Sequence, residues 1–440
     1  MLKQELAILE VDCSSGKQKG HDVKVLVLGS GAREHTIAWK FAQSNRISGL
    51  YIAPGNAGTE EHGVNLPNVD PNDAKAVLKV CRDKSIDLVF VGAEEPLANG
   101  IADALDRAGI SVIGPNQDAA RLESSKAFSK SFMKRHGIPT AGALEFENAQ
   151  AFEKHVGKRK GRMVVKKSGL AAGKGVLESS DHSEILSFGR KVLETDTLLV
   201  EDFLEGWEVS VFALCDGTDY VVLPFCADFK KAREQDLGSN TGGMGAICPV
   251  PLVTEPLRSR IVEEVVDRTF QGMKKDGLMY RGVLFLGLMI TESGPKLLEY
   301  NVRFGDPETQ VLLPLVKSDF VNLCESLLQG TVGQFPLQIS TDSAVGVVIA
   351  SEGYPGSYER GVEVTSLPSA KERMQLVFHA STKRDSEGRT ITDGGRCFTV
   401  VGIGPNTLVA NNRAYQAVPE VVFKGAWWRR DIGQKFLINE

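Results

Sequence analysis

Seven residues near the start, VKVLVLG at 23–29, constrain this chain more than any others. A near-continuous run of β-branched residues and leucine, closed by glycine, offers no polar face to water. It reads as a strand buried on both sides, as in a parallel sheet. REHTIAWKFAQS follows with helical spacing, and GLYIA, IDLVFVG (86–92) and ISVIG (110–114) repeat the strand signal. Between the last two, Leu97, Ala98, Ile101, Ala102, Leu105 and Ala108 share one helical face. Strands alternating with helices predict a doubly wound parallel α/β domain over 23–124.

The chain has 440 residues, too many for one hydrophobic core. SKAFSKSFMKRHG (125–137) predicts a helix that opens a second unit. MVVKKSGLAAGKGVLES then reads as two short strands around a glycine-rich loop, and TLLVEDFL and WEVSVFAL as further strands. The expected division is a small flap domain at 125–195, a central domain at 196–330 and a strand-rich C-terminal domain at 331–440. Residues 1–22 lack the apolar segment of a secretory signal and contain acids, so they read as a short mobile extension.

Composition narrows the function classes. Net charge is −5 and no basic stripe occurs, which argues against nucleic acid. No apolar run reaches the roughly 18–20 residues of a membrane span. The seven cysteines include no CxxC and the seven histidines no HxxxH, so scattered thiols in a reducing, cytoplasmic setting are expected.

Three glycine-rich loops are candidate anion contacts. GSGAREH (29–35) follows the first strand, and its amides can cradle a phosphate at a helix N-terminus or simply let the strand pass into the helix. Glu34 stands at the third glycine position of the dinucleotide fingerprint, and the second strand ends YIAPG rather than in an acid. A nicotinamide cofactor is therefore not expected. GLAAGKG (169–175) is one residue short of a P-loop, and Gly175 stands where a hydroxyl would hold magnesium. It reads as a flap closing Lys174 over a triphosphate, or as an exposed hairpin turn. SNTGGMGA (239–246) is the third loop.

EYNVRFGDPETQ (299–310) puts Glu299, Asn301, Arg303, Asp306 and Glu308 between two apolar runs. VLFLGLMI, the turn TESGPK and LLEYN read as a β-hairpin. Alternate strand residues share a face, so Glu299 and Asn301 point one way and Leu298 and Tyr300 the other. A carboxylate beside an amide oxygen suits magnesium, completed by water and phosphate oxygens. An edge strand with its polar face in water is the alternative. Asp306-Pro307-Glu308 also reads as a helix start capped by Asp306. Arg303 continues the metal face, where a cation would stabilise a transferring phosphoryl or an acyl phosphate.

RFGDPETQ resembles the signature of the phosphoribosylamine–glycine ligases of the ATP-grasp superfamily. GSGAREH, APGNAGT, SKAF, GLAAGKGV, NTGGMGA, EYN, GYPG, FHASTK and RxDIG resemble that family too, in its order, from Val23 to about Gly433. The resemblance implies a multi-domain ATP-grasp fold with ATP between flap and central domain. It implies ligation of glycine to 5-phosphoribosylamine through glycyl phosphate, with magnesium or manganese. Lys126 and Lys166 would reach the ATP phosphates, and Lys174 would ride on the flap as a catalytic group. Glu201, Phe203 and Leu204 would receive adenine, and Glu208 the ribose. Glu299 and Asn301 would bind metal, and Arg303 would stabilise the acyl phosphate. Gly29, Gly31, Asn56, Glu94, Asn240, Gly242, Gly243 and Asp306 would border phosphoribosylamine or glycine. Phosphoribosylamine is short-lived, so transient contact with the preceding purine-pathway enzyme is expected.

The chain departs from the family pattern in places. GAEEPL has Ala93 for proline and Glu95 for alanine; KKSGLAAGKG has Lys167 for alanine and Ser168 for aspartate. FHASTK has Ser381 for glycine. DFKK (228–231) has Phe229 for histidine and Lys231 for arginine, a poorer anion ligand. These changes leave two rivals: a ligase for another acid or amine, and a nucleotide-binding protein with impaired catalysis.

Overall fold

The computed structural model describes residues 22–170, 175–368 and 374–439. The extension expected at 1–22 lies outside the described residues except for Asp22.

The N-terminal unit holds β1 (Val23–Gly29), α1 (Ala32–Ala42), β2 (Ile47–Pro54), β3 (Val64–Asn65), α2 (Ala74–Lys84) and β4 (Leu88–Val91). It continues with α3 (Glu94–Ala98), α4 (Ile101–Arg107), β5 (Ser111–Ile113) and α5 (Gln117–Ser124), after which α6 (Lys126–Arg135) leads into the next unit. The five strands are parallel in the order β3-β2-β1-β4-β5. Val25, Leu26, Val27 and Leu28 are fully buried, as a strand covered on both faces requires. Strand order reverses beside β1, which opens a crevice between the ends of β1 and β4. The single helical face expected over 97–108 is two helices, broken where Gly100 takes φ +81°. Leu97, Ile101, Ala102 and Leu105 are buried as expected, but Ala108 is exposed.

Next come β6 (Ala143–Phe146), α7 (Ala149–Lys158), β7 (Met163–Lys167), β8 (Val176–Ser179), α8 (His182–Leu193) and β9 (Leu198–Asp202). The strands form an antiparallel sheet ordered β6-β9-β7-β8. Phe152, Val156, Met163, Val165, Ile185 and Val200 give this unit its own core cluster. β9 pairs inside this sheet although it lies beyond the 195/196 boundary drawn from sequence.

The chain goes on through β10 (Trp207–Cys215), β11 (Tyr220–Val222), β12 (Ala227–Asp228), β13 (Lys231–Arg233), β14 (Leu237–Asn240) and β15 (Gly245–Cys248). After α9 (Glu255–Ile261) and α10 (Arg268–Asp276) come β16 (Gly282–Thr291), β17 (Gly294–Asn301), α11 (Glu308–Leu312) and α12 (Phe320–Gln329). β11-β10-β16-β17 is an antiparallel sheet. β12 and β15 leave it for the C-terminal sheet with β18 (Ser343–Ser351). β19 (Val364–Ser366) lies outside that sheet, which takes in β20 (Gln375–His379). The hairpin β21 (Thr382–Arg384) and β22 (Thr390–Thr392) precedes its last long strand, β23 (Arg396–Gly404). The order β12-β15-β18-β23-β20 thus joins central and C-terminal sequence in one sheet.

α1 is tied to the edge of this sheet by histidines. His35 Nδ1 accepts from the His379 backbone N–H at 2.8 Å, and its Nε2 lies 3.2 Å from His62 Nε2. Burial, then His379 and His62, pull the His35 pKa well below 6.5. Burial, then Arg384 and His62, pull His379 down to about 4. Such a group binds fewer protons folded than unfolded, so its contribution is present above the unfolded pKa and lost as pH falls. For His379 the loss reaches about 3 kcal/mol near pH 4. Glu308, raised by burial to about 7, acts with the opposite sign, so the test is differential. The stability gap between the protein and His379→Asn is expected to shrink as pH falls from about 7.5 to 5. Urea midpoints measure it, and a gap independent of pH counts against the cluster's neutral state.

Among the described residues no helix is long and apolar enough to cross a membrane. The six described cysteines are free and buried.

Candidate active site

The nucleotide side is built where the flap meets α6. Ser125 is extended between α5 and α6, and its Oγ caps α6 by accepting from Phe128 N. This sets Lys126 at the first turn, where its Nζ donates to Gly169 O at 3.4 Å. On β7, Lys166 reaches diagonally to β9 and pairs with Glu201 at 2.9 Å. Lys130, one turn after Lys126, sits 3.2 Å from the other Glu201 oxygen and donates to Thr140 Oγ1. Burial opposes charge on Glu201, but Lys166 and Lys130 outweigh it and hold the carboxyl below its usual range. Burial brings Lys130 down to about 8 against the pull of Glu201. Sequence reading missed Lys130; the signal was its i+4 spacing from Lys126. Phe203 lies under the Arg162 guanidinium, 4.6 Å from ring centroid to Cζ, and Leu204 is half-buried beside it in sequence. Glu208 is bound by Lys230, which also holds Asp228 at 2.9 Å. Lys174 lies outside the described residues.

β17 carries the metal candidates. Glu299 and Asn301 face Gly287 and Phe285 of β16 across the ladder, with buried Tyr300 between them bonding Thr269 Oγ1 at 2.8 Å. A register shift opposite Leu288 departs from simple alternation. Leu297 and Tyr300 are the core residues here, whereas Leu298, expected to point the same way as Tyr300, is only partly buried. Glu299 and Asn301 supply hard oxygens and are half-buried, which fits a magnesium-type ion. Among the described residues no cluster of three His, Cys, Asp or Glu could hold a metal.

Arg303 follows directly. Its Nη2 donates to Asn301 Oδ1 at 3.1 Å and to Glu123 Oε1 at 2.7 Å, and its Nε to Glu94 Oε2 at 3.2 Å. Burial opposes charge on Glu94, yet Arg303 and then Arg33 push its pKa to about 2. Arg33 in turn pairs with Glu34 at 2.6 Å and donates to Phe304 O.

The first glycine loop differs from a phosphate cradle. Glu34 folds back so that Gly31 N donates to its Oε2 at 2.6 Å. A Cβ on Gly29 or Gly92 would lie 2.4 Å from the Glu34 side chain. The protein's own carboxylate thus takes the Gly31 amide that a pyrophosphate would need and packs against Gly29 and Gly92. Asn56 lies beside Gly31 with its carboxamide engaged inside the fold, donating to Ser30 O and His379 O and accepting from Gly58 N and Thr59 N.

Asp306 is not a helix cap. α11 begins after Pro307 without a side-chain cap, and Asp306 Oδ1 instead accepts from Gln310 Nε2 at 2.9 Å and faces Arg396 at 3.3 Å. Arg396 Nη1 also donates to Asp306 O and to Gly242 O at 2.6 Å, while Tyr354 OH accepts from Gly242 N. Arg396, which sequence reading missed, therefore holds the NTGGMG loop against RFGDPETQ, and Tyr354, missed as well, steadies the loop at Gly242. Asn240 ends β14 opposite Lys231. Gly243 takes φ +110°, and an added Cβ would lie 2.4 Å from Pro307 Cδ. Gly243→Ala is expected to cost about 1–3 kcal/mol of stability and to lower kcat more than it raises the ATP KM. Thermal melts with steady-state kinetics check this.

Phe229, one of the departures from the family pattern, is buried, and its backbone pairs with Gly245 O and Met244 N beside the NTGGMG loop. Its ring lies under Lys435 (4.7 Å) and Arg429 (5.4 Å) and meets Phe436 edge-on. Arg429 donates to Lys231 O and Asp236 and pairs with Asp431, so RxDIG clasps the β13–β14 hairpin.

A flap sheet with buried lysines, set against a strand bearing an acid and an amide, defines an ATP-grasp enzyme. The phosphoribosylglycinamide synthetase N domain, ATP-grasp (A) domain and C domain match residues 23–123, 124–309 and 344–435. The phosphoribosylamine–glycine ligase of Chlorobaculum tepidum is 43% identical over 428 residues, 94% of this chain and all of that protein. The trifunctional purine biosynthetic protein adenosine-3 of Gallus gallus is 44% identical over 94% of this chain, which spans 42% of that protein's length. The crystal structure of phosphoribosylamine–glycine ligase from Thermotoga maritima superposes with a TM-score of 0.82 at 36% identity, covering 93% of this chain and all of that one. The chain belongs to the phosphoribosylglycinamide synthetase family.

Proposed function

We propose that this protein joins glycine to 5-phosphoribosylamine with ATP, giving glycinamide ribonucleotide, ADP and phosphate. The observation that carries the reading is the position of Arg303. It bonds the metal candidate Asn301 on one side and Glu94, a candidate substrate residue at the start of α3, on the other.

A glycine carboxylate is a poor electrophile. In the first step its oxygen attacks the γ-phosphorus of ATP, ADP leaves, and glycyl phosphate forms. In the second the ribosylamine nitrogen attacks the carbonyl carbon, the bond to the phosphate oxygen breaks, and the amine sheds a proton. Lys126 and Lys166 hold the phosphates, and Lys174 closes with the flap. Arg303 faces the acyl phosphate, where a preorganised donor acts without reorganisation. Glu299 and Asn301 hold magnesium or manganese, which supplies charge neutralisation at the phosphates. Gly31, Asp306, Gly242 and Gly243 border glycine and the ribosylamine. The reaction belongs in the cytoplasm. Because the ribosylamine is short-lived, transient handover from the enzyme that makes it follows, and absence of kinetic coupling in a paired assay counts against that.

ADP release is measured with magnesium-ATP, omitting glycine and then phosphoribosylamine made in situ. Release that needs both substrates supports the reading. ATP binding without stimulation by either points to another acid or amine.

A further inference from the structure

Arg303 owes its orientation to a residue outside every motif described above. Glu123, near the end of α5, is 8% exposed. Its Oε1 accepts from Arg303 Nη2 and its Oε2 accepts from the backbone N–H of Val302, both at 2.7 Å. One carboxylate therefore clamps a side chain and the peptide just ahead of it, immediately past Asn301. The Nη2 it grips is the atom that also donates to Asn301 Oδ1. Glu94 meets the guanidinium separately, through Nε.

We infer that Glu123 is a positioning residue for the ligation, fixing the Arg303 guanidinium relative to Asn301. This rests on the role proposed for Arg303. An arginine side chain has many rotamers to lose when its fork is fixed in one place. Among the described residues, beside the Glu94 carboxylate at Nε, the fork meets only neutral acceptors, Phe304 O through Nη1 at 3.2 Å and Asn301 Oδ1 through Nη2 at 3.1 Å. Glu123 adds the one charged partner at the Nη2 end, and charge-assisted pairs add geometry to energy. Anchoring the Val302 amide from the same carboxylate ties the fork to the end of β17. Misplacing such a group by about 1 Å costs on the order of 10²-fold in rate.

The test uses the full chain and the variants Glu123→Gln and Glu123→Ala. Glycine-dependent positional isotope exchange in ¹⁸O-labelled ATP reads acyl phosphate formation without the amine, and calorimetry reads ADP affinity. Glu123→Ala is expected to lower kcat and exchange together by about 10²-fold while ADP affinity stays within about twofold. Glu123→Gln, which keeps an acceptor and the shape, is expected to fall between, and added formate is expected to restore part of the Glu123→Ala rate. Arg303 modification by phenylglyoxal, read by peptide mass spectrometry, is expected to speed up at least tenfold in Glu123→Ala. That arm needs no turnover, so it judges the clamp even if the wild-type protein fails to ligate these substrates. Unchanged Arg303 reactivity, or a kcat within threefold of wild type, overturns the inference. A loss of rate matched by loss of ADP affinity and untouched by formate overturns it as well.

Discussion

Arg303→Lys is expected to lower kcat about 10²–10³-fold with little change in ATP KM. The substitution keeps the charge, so the effect comes from geometry. The guanidinium meets Glu94 through Nε at 3.2 Å, and Glu123 and Asn301 through Nη2 at 2.7 and 3.1 Å. An ammonium is one point at the end of a flexible stem and cannot span those partners together. Glu94, whose low pKa depends first on Arg303 among its cations, would rely on Arg33 at 3.6 Å. Because two carboxylates already balance Arg303, its value lies in aimed donors rather than in net charge. Steady-state kinetics with isotope exchange decide the matter. A lysine variant keeping a third of wild-type kcat would mean that a point charge suffices.

Glu299→Gln is expected to cost a similar 10²–10³-fold in kcat and to raise the metal concentration needed for half-maximal rate. The change keeps shape and removes charge. Glu299 lies opposite Gly287, and it acts on Lys126 and Lys166 as a nearby negative charge. Without it the lysines would face the phosphates with only Asn301 to complete the ion's protein ligands. Magnesium titrations of both proteins at saturating ATP test this. An unchanged metal dependence would place the ion elsewhere.

Much of the fold was legible because local rules and tertiary structure agree. VKVLVLG is buried except at Lys24, the hairpin over 282–301 forms, and the parallel sheet assembles as its alternation predicts. The broken dinucleotide fingerprint was legible too, although its reason was not. Glu34 does more than spoil a glycine position, since it supplies the anion the loop would otherwise seek. Periodicity could not show that Gly100 divides one apolar face into two helices, nor that β9 pairs with the flap, because ladder partners are not encoded by a strand's own pattern.

Residue types and their order along the chain thus determined the family, the ATP-grasp architecture and the candidates Glu299, Asn301, Arg303 and Lys166. Those are local properties of motifs. Tertiary structure alone decided that Glu123, 180 positions from Arg303, orients it, and that Arg396 holds Gly242 from 154 positions away. It also set the Phe229 ring under Arg429 and Lys435. A buried charge must find its partner wherever the fold brings one, and sequence separation carries no record of that meeting.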